Sequence, residues 1–253
     1  MTTTLRRVLG YLAASAALLG GWALLAAAVN SPALPGPISA IMEFAATFAD
    51  SIAVHLLMSA ARVVIAMAIG TLLAVPLGLF IGRSPRVDTI AAPLIFLTYP
   101  IPKVVFLPTL VVLLGIGDVS KIALITIIIF FQILVTSRDA ARAIPAASVL
   151  SVRSLGASRA QVFRHVVIPA ALPEIFTALR IGTGTAVAVL FLGESIAGNS
   201  GLGYYIVDSW ARIDYNAMFA GVLGMALLGV VLYEALELAE ARACRWTRAD
   251  RGI

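Results

Sequence analysis

The chain has 253 residues, of which 61% are hydrophobic and 12% charged, with a formal net charge of +5 and a mean hydropathy of +1.02. Soluble domains are nearer half apolar and a quarter charged, so these proportions place the chain in a bilayer and exclude an ordinary soluble enzyme or nucleic-acid-binding module. One cysteine, Cys244, and two distant histidines, His55 and His165, exclude a disulfide framework and give no local metal-binding motif.

A helical span needs about 20 apolar residues. Six stretches qualify, over 8–29, 53–81, 89–114, 119–135, 169–192 and 217–238. The fold expected is therefore an all-α integral membrane protein of about six transmembrane helices, one domain over 1–253, with core helices over 53–240. Arg6 and Arg7 ahead of the first stretch also fit a secretory signal, but the apolar run is long for one and no small-x-small cleavage site ends it. The third stretch is interrupted at Tyr99, where Pro100 and Pro102 each remove a backbone donor before Lys103. Non-helical backbone at membrane depth is tolerated inside protein or along a water-filled cavity. The break at Tyr99, Pro100, Pro102 and Lys103 therefore reads as a gate or part of a translocation path, or as a plain kink. Gly70, Gly78 and Gly82 mark a close helix contact, within one chain or between two copies.

Two arginines fall inside spans, Arg62 and Arg180. A charge there costs about 2.5–3.5 kcal/mol on insertion scales, so such residues face a cavity, a partner or an interface. They read either as a cationic lining for an anionic solute or as structural groups paired with Glu194, a backbone carbonyl or a lipid phosphate. Orientation follows from the connecting segments: with the N-terminus in the cytoplasm, thirteen basic residues lie inside and two, Lys121 and Arg212, outside. Both termini are then cytoplasmic, as is the long loop over 138–168. The outer connection from Gly193 to Asn216 combines a stretch, 201–206, that reads as a re-entrant seal with a more polar one, 209–216, suited to meeting a delivery protein.

The loop has a pattern of its own. Pro145 suits the first position of a helix over 146–155, Gly156 suits the left-handed residue that ends one, and Ser158 with Gln161 forms a capping-box pair that starts a second short helix. Val162, Phe163 and Val166 fall on one side of it, with Arg159 and Arg164 elsewhere, and Pro169 restarts the chain as a span. Apolar groups beside cations on a capped helix suggest a docking surface for a cytoplasmic protein; a basic loop that only sets topology is the plainer reading.

This stretch resembles the cytoplasmic signature loop of ABC importer permeases, whose pattern is Glu-Ala-Ala, three residues, Gly, nine residues, Ile-x-Leu-Pro. Gly156 takes the glycine and Pro169 the proline, while Leu150, Ser151 and Val152 stand where Glu-Ala-Ala would be. "SAARVVIAMAIGTLLAVPLGLFIG", "PIPKVVFLPTLVVLLGIGDVSKI", "ALPEIFTALRIGTGTA" and "GESIAGNSGLGYYI" are similar to the nitrate, sulfonate and taurine branch. The resemblance implies a type I importer permease fold in the bacterial cytoplasmic (inner) membrane, multi-pass, working as a homodimer. It implies two copies of an ATPase subunit as partners, carrying ATP and Mg, and a periplasmic or lipid-anchored substrate-binding protein. It assigns coupling to Arg153, Ser154, Leu155, Gly156, Ala157, Ser158, Arg159, Gln161, Val162, Phe163, Arg164 and Pro169. The path or gate falls to Arg62, Tyr99, Pro100, Pro102, Lys103, Arg180 and Glu194. No catalytic residue, metal or cofactor is expected on the chain itself, and membrane lipid rather than nucleic acid surrounds it. The chain carries no phosphate-cradling Gly-Lys-Ser/Thr loop, no zincin motif and no paired intramembrane acids. An ion-coupled secondary transporter is the alternative class, and a vitamin-precursor heterocycle the alternative to a sulfonate-, taurine- or nitrate-like anion as solute.

Overall fold

A computed structural model describes residues 3–246; the predicted cytoplasmic arginines Arg248 and Arg251 lie outside them. Among the described residues the chain forms helices and turns, with no strand. The helices are α1 (Thr3–Val29), α2 (Pro37–Thr47), α3 (Ala53–Arg83), α4 (Pro85–Thr98), α5 (Leu107–Leu114) and α6 (Asp118–Ala143). They continue as α7 (Ala146–Ser154), α8 (Arg159–Val162), α9 (Ile168–Ala197), α10 (Leu202–Ala211) and α11 (Tyr215–Ala243). Five helical units are long and apolar enough to cross a membrane, and six if α4 and the Lys103–Leu114 segment, bent by 76° at the proline break, count as one.

Two predicted boundaries move for the same reason. The second span is continuous back to Pro37, through one wide turn at Phe48–Ile52, and the fifth runs unbroken from Arg159, through a second wide turn at Phe163–Val167. Pro169 therefore does not restart the chain. It sits in the first turn of α9, two residues after the end of the wide turn, where helical backbone continues through it. A proline clashes with the carbonyl four residues back, and a turn of five residues per hydrogen bond moves that carbonyl out of register.

The core is a three-helix layer. α3 and α6 pack side by side in the same direction, with Gly70 against Thr126, Gly78 against Leu134 and Gly82 against Arg138. A β-carbon on Gly78 would lie 2.7 Å from the Leu134 carbonyl oxygen, so only glycine allows this approach. The glycines that sequence left open between dimer and internal contact are thus internal. α9 lies antiparallel on α6, Gly182 facing Ile129 and Gly193 facing Lys121. The buried residues Leu124, Ile125, Ile129 and Ile133 of α6 form its centre.

Outside this layer, α4 packs against α3 and α5 against α6, with large apolar side chains such as Phe96, Leu97 and Val112 exposed. α1 is attached chiefly through Trp22, which stacks on Phe219 of α11 at 5.5 Å and donates its indole N–H to the Pro35 carbonyl at 3.0 Å.

Gly82→Val places a side chain into the Arg138 backbone and Ala141 and is expected to destabilise the protein by about 1–3 kcal/mol or more. Gly20→Ala, with open space around it, is expected to be neutral or to gain up to about 1 kcal/mol. Thermal unfolding of both variants in the same detergent measures the difference.

Candidate functional site

The predicted loop folds as a compact helical turn. Ile144 is extended because a proline follows it, and Pro145 occupies the capping position of α7, one residue earlier than the sequence suggested. At the other end of α7, Gly156 adopts φ +84°. Its N–H donates to Arg153 O at 2.9 Å, and the Ala157 N–H to Val152 O at 3.4 Å, the paired bonds of a Schellman ending. Ser158 then opens α8. Its Oγ accepts from the Gln161 N–H at 3.3 Å, while its own N–H donates to Gln161 Oε1 at 2.8 Å, the reciprocal capping box read from sequence.

The surface this presents differs from the expected one. Val162 is buried, and Phe163 and Val166 pack against the core. The apolar face of α8 therefore holds the loop to the bundle. Leu155, 86% exposed, and Leu150, 62% exposed, project instead, beside the exposed Arg153, Ser154, Gly156, Ser158, Arg159, Gln161 and Arg164, with Ala157 partly covered. Leu150 stands where the family pattern has its acid, so the projecting tip is apolar and cationic. Behind it a cleft of about 900 Å³ separates the loop from α6 and α9, bordered by Thr136, Asp139, Val152, His165, Glu174 and Trp246.

At the opposite end of the bundle, Arg62 and Glu194 meet. Glu194 is 0% exposed. It accepts from Arg62 Nη1 at 2.5 Å, from Ser59 Oγ at 2.9 Å and from the Gly203 N–H at 2.8 Å. Arg62 also donates through Nε to Asp118 Oδ1 at 2.8 Å, and to the carbonyl and hydroxyl of Ser200 at 2.9 and 2.8 Å. His55 Nδ1 accepts from the Gly201 N–H at 3.0 Å. Gly201, at φ +101°, has no room for a β-carbon between the Glu194 carboxylate and Arg62. Every donor of the guanidinium thus serves to tie α3, α6, α9 and the turn before α10 together. Arg62 and Glu194 pair with each other inside the bundle.

The helix break is likewise closed on itself. Lys103 Nζ donates to Thr98 O at 2.9 Å, Tyr99 O at 2.7 Å and Ile101 O at 3.1 Å, and lies 4.6 Å from the Phe131 ring centre. Its three protons satisfy carbonyls that the end of α4 and the prolines leave without helical partners. Tyr99 itself stays exposed. Arg180 pairs with Glu240 of α11 at 3.1 Å rather than with Glu194. The sequence reading missed Asp118, Ser59, His55 and Ser200 as members of the Arg62 cluster. It also placed Lys121 in an outer loop, whereas Lys121 lies in the first turn of α6 and is 1% exposed. The signal available was Asp118 three residues before Lys121 at the start of an apolar helix, which puts both on neighbouring faces.

Removing one partner of a buried ion pair leaves the other uncompensated, at about 3–5 kcal/mol. Arg62→Met is therefore expected to lower stability by that order, and Glu194→Gln by less, since the amide keeps a carbonyl acceptor. Thermal unfolding with Asp118→Asn as the exposed reference (its side chain is 65% exposed) checks the ranking.

Residues 74–243 match the family model described as binding-protein-dependent transport system inner membrane component. The chain is 35% identical over 192 residues to the taurine transport system permease protein TauC of Escherichia coli (strain K12), covering 76% of this chain and 70% of that protein. It is 27% identical over 228 residues to the formylaminopyrimidine transport permease protein ThiX of Halalkalibacterium halodurans, covering 90% and 91%. Its fold is similar to a chain of the MetNI methionine ABC transporter in an inward-facing conformation, with a TM-score of 0.62, 21% identity and coverage of 75% and 94%. These relatives are permeases, not enzymes, and their family sets aside the ion-coupled carrier. The chain belongs to the inner-membrane components of binding-protein-dependent transport systems and is a multi-pass ABC importer permease subunit.

Proposed function

We propose that this subunit carries a small anionic solute, of the sulfonate, taurine or nitrate kind, across the bacterial cytoplasmic membrane by alternating access, as one half of a homodimer. The arginine distribution orients the Gly156 loop and both termini to the cytoplasm. Two ATPase subunits, which hold ATP and Mg, dock on that loop, and a periplasmic or lipid-anchored binding protein delivers the solute at the Arg62 end. The observation that carries the reading is the capped, left-handed turn at Gly156, which holds Leu150, Leu155, Arg153 and Arg159 out from the bundle. Exposed leucines ringed by arginines form a compact apolar contact with an electrostatic rim.

Closure of the ATPases displaces the turn, and α8 and α9 carry the displacement to the Arg62 end. The resemblance to a taurine permease favours the anion. A vitamin-precursor heterocycle is the second reading, favoured by the likeness to ThiX over nine-tenths of the chain.

Gly156→Val forces a β-branched side chain into the left-handed region at a cost of about 1–2 kcal/mol. The expected outcome is an inserted protein whose reconstituted complex loses most uptake and most ATPase retention on co-purification. Unchanged uptake and retention would remove the loop from coupling.

A further inference from the structure

Three polar residues of α3, His55, Ser59 and Arg62, recur at helical spacing and so share one face. That face meets the start of α10. A helix begins with backbone donors that have no partner inside it. Here the Gly201 N–H donates to His55 Nδ1 at 3.0 Å, the Leu202 N–H to Ser59 Oγ at 2.9 Å and the Gly203 N–H to Glu194 Oε2 at 2.8 Å. Just ahead of them, Arg62 takes the carbonyl and the hydroxyl of Ser200. Side chains of α3 and α9 therefore hold both the turn and the first residues of α10.

Among these side chains the imidazole is the one whose ordinary titration falls between pH 5 and 8. A backbone N–H can only donate, so the bond to Gly201 needs a lone pair on Nδ1 and selects the neutral ring with its proton on Nε2. An imidazolium carries a proton on both nitrogens and accepts nothing. Bond and protonation therefore exclude each other. The ring is half-buried, with the rings of Tyr204 and Tyr205 at 6.1 and 5.5 Å. The charged groups around it are Arg62 of α3, Glu194 of α9 and Asp208 of α10. The two carboxylates favour a proton on the ring and Arg62 opposes it, but both carboxylates are already engaged, Glu194 by Arg62 and Asp208 by Arg212. Protonation thus removes the Gly201 bond and sets two donors face to face.

We propose that His55 is a proton-sensitive latch on the outer end of the subunit. The neutral ring holds Gly201 and the start of α10 to α3, and acid on the outer side protonates the ring and releases the turn over 198–201. The inference rests on the orientation given above, which places the Arg62 end outside, and adds to it a regulation of that end by the pH of the medium. The folded chain holds the neutral ring, whereas the unfolded chain takes up a proton near the ordinary histidine pKa of about 6.5. The contribution of the bond is therefore complete above that pH and is lost as pH falls below it.

The test uses the permease with its ATPase in proteoliposomes. Amide hydrogen exchange of the segment 198–203 is followed and corrected for the intrinsic pH dependence of exchange. Wild-type protection of this segment is expected to fall about tenfold between about pH 7.5 and 5.5, with the centre of α6 unchanged. In His55→Gln, whose amide oxygen is an acceptor at every pH, protection should not depend on pH. His165→Gln, which alters the other histidine of the chain, should respond as wild type does. In detergent, the apparent Tm of wild type should fall by about 2–4 °C more than that of His55→Gln over the same range.

If wild-type protection of 198–203 does not change with pH, or changes equally in His55→Gln, there is no latch, and the inference fails while the importer reading, tested by ATPase retention, stands. The wild-type measurement decides this even where His55→Gln does not assemble. Acid is then applied to one side of the vesicle at a time. A response to acid on the binding-protein side supports the inference. A response only to acid on the ATPase side overturns it, together with the orientation on which it rests.

Discussion

The guanidinium of Arg62 is the point on which the bundle is organised. It is the place where α3, α6 and α9 and the turn leading into α10 are joined by directed bonds rather than by packing. In a bilayer, apolar packing discriminates weakly between one helix arrangement and another, because lipid is as apolar as leucine. Directed polar contacts in a low-dielectric setting carry the specificity instead. Ser59, His55 and the backbone N–H groups of Gly201, Leu202 and Gly203 extend the same cluster. They fix the short helix α10 against the bundle with its buried face of Leu202, Tyr205 and Ile206 inward.

A second charged cluster marks the other end. Asp88 at the start of α4 binds both Arg138 and Arg142 of α6. Asp118 and Arg138 are about 20 positions apart on one straight helix, which is about 30 Å, the thickness of a hydrocarbon core. The two clusters therefore frame the membrane. The break at Tyr99–Lys103 lies between them at the level of Phe131, so a lysine ammonium resides within the apolar region only because three carbonyls receive it.

Much of this was legible in the chain. The spans follow from apolar run length, and the loop's helix, glycine turn and capping box follow from local rules that act over four or five residues. Those features appeared almost at the predicted positions. What was not legible depends on contacts across the sequence. Whether Arg62 faces solute or Glu194 turns on a contact between residues 132 positions apart, and whether Val162, Phe163 and Val166 point to a partner or to the core depends on where the bundle lies. Pro169 misled for a different reason: proline normally interrupts a helix, and the wide turn just before it removes the clash. Lys121 was misplaced because a basic residue near a span boundary was counted as loop, when its neighbours Ser120, Leu124 and Ile125 are all buried helix.

The wide turn at Phe163–Val167 makes one rod of α8 and α9, from Arg159 to Ala197. Gln161, whose side chain closes the capping box, and Glu194, which holds Arg62, stand on that rod about 50 Å apart. No break in the helical backbone separates them. The extra residue in the wide turn also sets the phase of the rod. Deleting one residue there would rotate the far face by about 100° and swing Glu194 out of reach of Arg62. The register of this turn therefore sets whether Glu194 faces Arg62.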